Sequence, residues 1–475
     1  MTFFYHLSTK DPERFLRVFG TEEQIVNFWH DQDLGAPYLA DHPAVKIDNF
    51  DKRCILGKLH SDGVVMTTRD SLHVISMLSM HADGDLLDTV LYFGSVVKRC
   101  VAKQAVHGAD TMAVLYRQLA WSLSACLYNR HPVLDWNNNP WPADHPRAKL
   151  ANTKLNENDF FGIIGMCSDL DELCNHYKLA HYSSLSPCFF CPANCSTMPW
   201  TDFSPDSICF ANTHAAPAPR PNAHNVWDIP GMGLHSVFWD IMHGLDLGPT
   251  QHVIGNVLTD FVDNPNFGTN RKERLAAVWS KIQTHYKNMG IASRLNSLTL
   301  TMLINSSKHP QLKSKANEAR HLMPVVLAML EDPLTSVEDA DYVANRYSTV
   351  FYLCRFYGLL DTHDMFLKGD VPTEAKTCVD NFLAHYDWLN AWSLEHGSAA
   401  WHLTIKFHYL KHAGVTLRWI NPKFTSCYPF ESFVGKVARV AHSSSYGKPA
   451  FSIGRFLQQK LHMMAVVARR HSKSF

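Results

Sequence analysis

The sequence predicts an α/β protein: a mixed-sheet core carrying a large helical insertion. Three observations lead there. Short β-rich apolar runs alternate with helical periodicity up to about residue 180, an aspartate closes two of those runs, and residues 244–400 are mainly helical by pattern. The chain has 475 residues, 46% hydrophobic and 19% charged, enough for one large core with an insertion or for two to three domains. This composition excludes collagen, coiled coil and a disordered chain. No apolar run reaches the ~18 residues of a membrane span. The start, MTFFYHLSTKDPERF, has no basic segment leading into an apolar core. A soluble intracellular protein is therefore expected, with its 12 cysteines as thiols or metal ligands instead of a disulfide frame.

Along the chain, residues 1–50 form a short, partly helical lead-in without the Cys/His spacing of a zinc finger. Residues 54–63 read as a strand running into Asp62 and Gly63. Residues 71–80, apolar with β-branched and small side chains, suggest a second strand, and 87–97 (LDTVLYFGSVV) a third. In 111–129, Met112, Leu115, Leu119, Leu123, Cys126 and Leu127 recur at helical spacing. A Pro/Asn-rich loop covers 131–158. Residues 161–167 are a short apolar run, read as a buried strand ending at Ser168-Asp169, and 170–179 look helical. Strand, strand, strand, helix, strand, helix is the order of a ribonuclease-H-like core. In that fold the first and fourth strands lie side by side, so Asp62 and Asp169, 107 residues apart in sequence, would meet in space. Helical patterns follow at 272–287, 317–330 and 341–360, after a break at Pro217, Pro219, Pro221 and Pro230. The expected domains are a lead-in at 1–50, the core with a Cys-x-x-Cys loop at 51–243, the helical insertion at 244–400, and a basic part completing the core at 401–475.

Three motifs bear on chemistry. Pro187-Cys188-Phe-Phe-Cys191-Pro192 sets two thiolates on a tight loop, where both reach one Zn²⁺. A second pair is needed, and Asp240-Ile-Met-His243 is the candidate, with Cys195 and His235 as rivals for the last place. The plain alternative is two buried free cysteines and a helix-capping aspartate. The second motif is acidic. Asp62 and Asp169, with Asp171 or Glu172 as substitutes, are hard oxygen donors of the kind two Mg²⁺ (or Mn²⁺) ions require; singly, each reads as a strand-end turn residue. The third is Tyr428-Pro-Phe-Glu431-Ser-Phe, with Glu318 as a competing acid and helix-dipole stabilisation as the plain alternative. His408 and His412, at i and i+4 on one helix face, are read as a packed or phosphate-facing helix in preference to a metal pair. No GxGxxG, P-loop or GxSxG motif occurs.

Charge adds a partner. The net charge is zero, but residues 401–475 hold 12 Lys and Arg against Glu431 alone. Such an end favours a polyanion, most simply nucleic acid, or else a solvated face.

Taken in order, Ser61-Asp62-Gly63, Ser168-Asp169-Leu-Asp, Cys188-x-x-Cys191, Leu234-His-Ser-Val-Phe-Trp-Asp240-Ile-Met-His243, Lys406-Phe-His408 and Tyr428-Pro-Phe-Glu431 resemble DDE/D transposases of the CACTA (En/Spm-like) group and their KDZ and Plavaka-type relatives. The likeness covers roughly 55–440. It implies a ribonuclease-H-like catalytic core with a helical insertion before the last acid. Asp62, Asp169 and Glu431 would be the acids, cutting and joining double-stranded transposon ends with Mg²⁺ or Mn²⁺, and structural Zn²⁺ would sit nearby. It also implies a nuclear, homo-oligomeric protein without membrane attachment. Glu-Ser-Phe stands where the group has a Glu-Arg-Phe-like pattern, and the expected N-terminal DNA-binding region is short. A catalytically inactive, transposase-derived DNA-binding protein is therefore the alternative.

Overall fold

The computed structural model describes residues 1–68, 70–103, 110–210, 225–304, 309–332, 339–444, 450 and 453–472. Pro217, Pro219, Pro221, Lys448 and Lys473 lie outside them. The chain forms two compact units. One comprises Met1–Leu179, His214–Phe238 and Cys427–Phe475, the other Ala180–Thr213 and Trp239–Ser426. The class is mixed α/β. Among the described residues no helix is long and apolar enough to cross a membrane.

The first unit holds a four-stranded sheet of β1 (Cys54–Val65), β2 (Ser71–Ser79), β3 (Leu91–Val97) and β4 (Phe160–Met166), in the order β3-β2-β1-β4. β1 and β2, and β2 and β3, are antiparallel, whereas β4 runs parallel to β1 with Leu59 opposite Met166. Both central strands are buried on both faces over most of their length, as a sheet covered on both sides requires. The third strand starts later than the apolar run suggests. Asp85 accepts the Leu87 N–H at 2.8 Å and turns Leu86–Thr89 into a capped helical turn.

The Tyr428–Ser444 and Ile453–Ser472 helices cover one sheet face. Phe430, Phe433, Val434, Val437 and Leu457 form a core there with Leu72, Val74 and Leu78 of β2. On the other face, Tyr116 of the Thr111–Leu127 helix reaches Ser61 of β1 through the Tyr177 hydroxyl. The first 50 residues are part of this unit and not a separate lead-in. Asp11 and Thr21 cap consecutive helices, and Thr21 with Gln24 makes a capping box. The rings of Phe4, Phe15 and Phe19 then gather on and around Phe161 of β4. Gly231, at φ 87°, lies so close to His42 that a Cβ would fall 2.0 Å from the imidazole.

The second unit is helical: Pro249–Asp263, Arg271–Asn288, Ala316–Leu330, Ala340–Thr362, Val371–Glu395 and Ile405–Thr416. Ile254, Phe261, Phe356, Phe382, Tyr386 and Phe407 are among its core. Arg346 is buried there, 2.9 Å from Asp260. The division differs from the expected one in further respects as well. The Cys-x-x-Cys loop belongs to the helical unit, and the return to the sheet unit begins at Cys427 instead of residue 401. The reason is packing: Phe407 and Leu410 sit in the helical core, and Phe430 and Phe433 in the sheet core.

Candidate metal centres

In the first unit the acids are set by strand register. Leu59 carbonyl accepts the Cys167 N–H at 3.0 Å, and the Ser168 hydroxyl donates to the Ser61 carbonyl at 3.1 Å. Asp62 and Asp169 each follow directly after this Ser61–Ser168 pair, Asp62 late in β1 and Asp169 three residues past the last residue of β4. Both side chains are half-buried. The Asp169 carboxylate also accepts the Glu172 N–H at 2.7 Å and caps the Leu170–Asn175 helix.

Side chains alternate across β1. Lys58, His60 and Asp62 therefore share one face. On it the Phe430 ring stacks on His60 at 4.7 Å with its plane 3° away, and Glu431 Oε1 lies 3.9 Å from His60 Nε2. The Tyr428–Ser444 helix thus delivers Glu431, 30% exposed, to the strand that carries Asp62, which runs on to Val65 instead of closing at the aspartate. Glu318 stands apart from this set. It lies in the other unit, where its carboxylate accepts the Lys315 N–H at 2.9 Å and closes the start of a helix.

Ser61 points to the opposite face. Its hydroxyl donates to Glu172 at 2.5 Å and bonds Tyr177, which in turn meets Tyr116 at 2.7 Å. Burial pushes the Glu172 carboxyl up to about 8, against the Ser61 hydrogen bond, and Asp169, Asp62 and Asp171 push the same way. Asp171 is exposed and accepts from Asn175 at 2.7 Å. His73 and His176 flank Glu172, and neither was singled out by sequence reasoning. Nothing local marks His73, since its partners are brought by strand pairing and by the helix after β4.

In the second unit the two cysteines meet histidines from the Ile405–Thr416 helix. Cys188 Sγ is 3.5 Å from His412 Nε2, Cys191 Sγ is 3.2 Å from His408 Nε2, and the two Nε2 atoms are 3.2 Å apart. All four donor atoms lie within 4.8 Å of one another. Bonds of about 2.3 Å to sulfur and 2.05 Å to nitrogen give tetrahedral edges of about 3.3–3.8 Å, so the set has the span of a four-ligand zinc site. His408 Nδ1 donates to the Trp200 carbonyl at 2.8 Å, which turns the Nε2 lone pair toward the sulfurs. Tyr409 anchors the loop by donating to the Pro187 carbonyl at 3.0 Å. The hydrogen bond from Cys188, with those from the two histidines, holds Cys191 down as the thiolate, while burial pushes Cys188 up.

This corrects the expected ligand set. Asp240 and His243 do not complete the Cys188–Cys191 group, and neither do the rivals Cys195 and His235. Asp240 is occupied locally. Its carboxylate accepts the Met242 and His243 N–H groups at 3.2 and 2.9 Å and the His243 ring at 2.6 Å, so it caps its own turn. The i, i+4 spacing of His408 and His412 was the available signal for the residues that stand beside the two cysteines.

The residues of the basic C-terminal stretch divide between the two units. Several of its cations are engaged internally. Lys406 and Lys423 donate to the Leu247 and Asp361 carbonyls, and Lys411 is buried against Asp380 at 2.8 Å.

The chain matches no family model and no curated protein sequence.

Proposed function

We propose that the chain is a metal-dependent DNA nuclease and strand transferase of the DDE/D transposase kind, built on a ribonuclease-H-like core. One observation carries the reading: Asp62, late in β1, and Asp169, just after β4, each follow the bonded Ser61–Ser168 pair of neighbouring parallel strands, and a returning helix sets Glu431 beside His60 on the Asp62 face of β1. The sheet order, with three antiparallel strands and a fourth parallel to the first, supports the same core.

The donor set fits divalent magnesium or manganese. It is made of hard carboxylate oxygens, and all three side chains keep partial exposure, so phosphate oxygens can approach them. Asp62, Asp169 and Glu431 would hold the ions. Bound metal would supply Lewis acidity to the attacking and leaving oxygens of a phosphodiester. Phe430, stacked on His60, fixes the helix turn that presents Glu431. The Cys188, Cys191, His408, His412 set fits Zn²⁺ in a structural role, because four protein ligands leave no position for a substrate. The partner is double-stranded DNA, and a homo-oligomer acting in the nucleus follows from the same reading.

The test is nicking of supercoiled plasmid and of short duplexes in Mg²⁺ or Mn²⁺. Asp62→Asn, Asp169→Asn and Glu431→Gln should each abolish nicking while retarding DNA as the parent does. Full cleavage by any of the three overturns that residue's assignment. A second reading, a DNA-binding protein without cleavage, is separated by the same assay. It predicts DNA retention with no nicking by the parent protein in either metal.

A further inference from the structure

A second cluster lies in the sheet unit, on the face of β1 opposite His60 and Glu431. We propose that His73, Glu172 and His176 form a separate binding site for a divalent first-row transition-metal ion, with two imidazoles and one carboxylate as ligands.

The argument begins with placement. Glu172 and His176 are four residues apart, one turn, so they share a face of the short helix that follows Asp169. His73 stands on β2 opposite Gly63 of β1, which brings its ring to the same place from another element. His73 Nε2 lies 3.4 Å from Glu172 Oε1, and His176 Nε2 lies 3.7 Å from Oε2. The two imidazole rings are 4.6 Å apart. One donor atom from each residue lies within 4.8 Å of the others. Ligands bound at about 2.1 Å stand about 3.0–3.4 Å apart, so small side-chain adjustments suffice to close on an ion.

Chemistry selects the ion. Two neutral imidazoles beside one carboxylate suit Zn²⁺, Mn²⁺ or Fe²⁺, whereas Mg²⁺ prefers oxygen. The surroundings favour a dication as well. Glu172 and the His73 side chain are each about 95% buried, and Asp62, Asp169 and Asp171 all act on Glu172 with the same sign of charge. A bound cation would offset a buried carboxylate that is otherwise costly to ionise. The support behind the ligand is in place: Ser61 donates to Glu172 and joins it to the Tyr177–Tyr116 pair. The ion would tie β2 to the helix that Asp169 begins. This inference does not depend on the nuclease reading, since it needs neither DNA nor cleavage.

The experiment is metal loading of the full chain with Co²⁺ in excess Mg²⁺, which occupies sites made only of oxygen. Bound cobalt is counted by elemental analysis, and the spectrum is recorded. Two equivalents are expected, with sulfur-to-cobalt charge transfer from the Cys188–Cys191 site alone. His176→Gln, at a partly exposed side chain, and Glu172→Gln, of nearly the same shape, should each lose one equivalent and keep the charge-transfer band. Cys191→Ser should lose the band and keep the other equivalent. A parent protein that binds one equivalent overturns the proposal, and so does retention of two equivalents in both Gln variants. The nicking assay reads separately, so failure of either proposal is recognisable by itself.

Discussion

Removing the metal from the Cys188, Cys191, His408, His412 site should destabilise the helical unit. The ligands on the loop and on the helix are 217 to 224 residues apart in the chain. A cross-link closing a loop of that length lowers the entropy of the unfolded chain by about 5 kcal/mol at 25 °C in the chain-entropy picture. Mass action gives a similar figure, about 4 kcal/mol when free metal is 1,000-fold above its Kd. A unit of 150–250 residues shifts by about 2–4 °C per kcal/mol, so the expected loss is about 8–20 °C in one melting transition. Calorimetry with and without a zinc chelator measures it, and added Zn²⁺ should restore the original transition. Cys191→Ser should melt like the chelated parent and gain nothing from zinc. A shift under about 2 °C on chelation, or one that zinc fails to reverse, refutes the reasoning.

Other outcomes are expected from particular contacts. Asp169→Asn should leave stability nearly unchanged, because Asn caps as well as Asp, whereas Asp169→Ala should cost about 1 kcal/mol in urea unfolding; with both variants unable to nick DNA, the catalytic loss separates from the capping loss. Gly165→Ala should destabilise by about 1–3 kcal/mol or more, since a Cβ would meet the Ser236 carbonyl at 2.5 Å and the Phe238 ring at 2.6 Å. Acid should weaken the fold below neutrality. Burial pulls His42, His81 and His252 down to about 4, so their stabilising effect is present above about 6.5 and lost as pH falls through about 4. Urea midpoints should drop between pH 7 and pH 5, and His81→Phe, which keeps the edge-on packing against Phe28, should flatten part of that slope.

Much of the sheet unit was legible because its signals are local. The apolar, β-branched runs at β1, β2 and β4 coincide with strands within a residue or two at most ends, and helical spacing located Thr111–Leu127. Where the reading slipped, a competing local bond intervened. Asp85 caps a turn inside an apolar run, so β3 begins at Leu91 and not at 87. The first 50 residues carry good capping signals at Asp11-Pro12 and Thr21-x-x-Gln24. Their docking on Phe161 rests on ring packing across more than 140 residues, which no window of sequence displays.

The candidate metal ligands show the same limit from the other side. Cys188-x-x-Cys191 and His408-x-x-x-His412 each carry their own geometry: a tight loop aims two sulfurs at one point, and one helical turn aims two imidazoles along one face. What joins them is the packing of the loop on the Ile405–Thr416 helix, through Tyr409 and the Pro187 carbonyl and through His408 and the Trp200 carbonyl. Asp240 and His243 looked suitable by chemistry and nearness in sequence, yet the Asp240 carboxylate is held by N–H groups two and three residues ahead. An aspartate that begins a turn is a cap first, because those N–H groups have no other local acceptor. The same logic bears on Asp169. Its cap role and a metal role are compatible, because a carboxylate has two oxygens and several lone pairs while the helix N–H takes only one of them. One side chain can therefore both start the helix after β4 and offer an oxygen to an ion, and the Asn and Ala variants divide the two jobs.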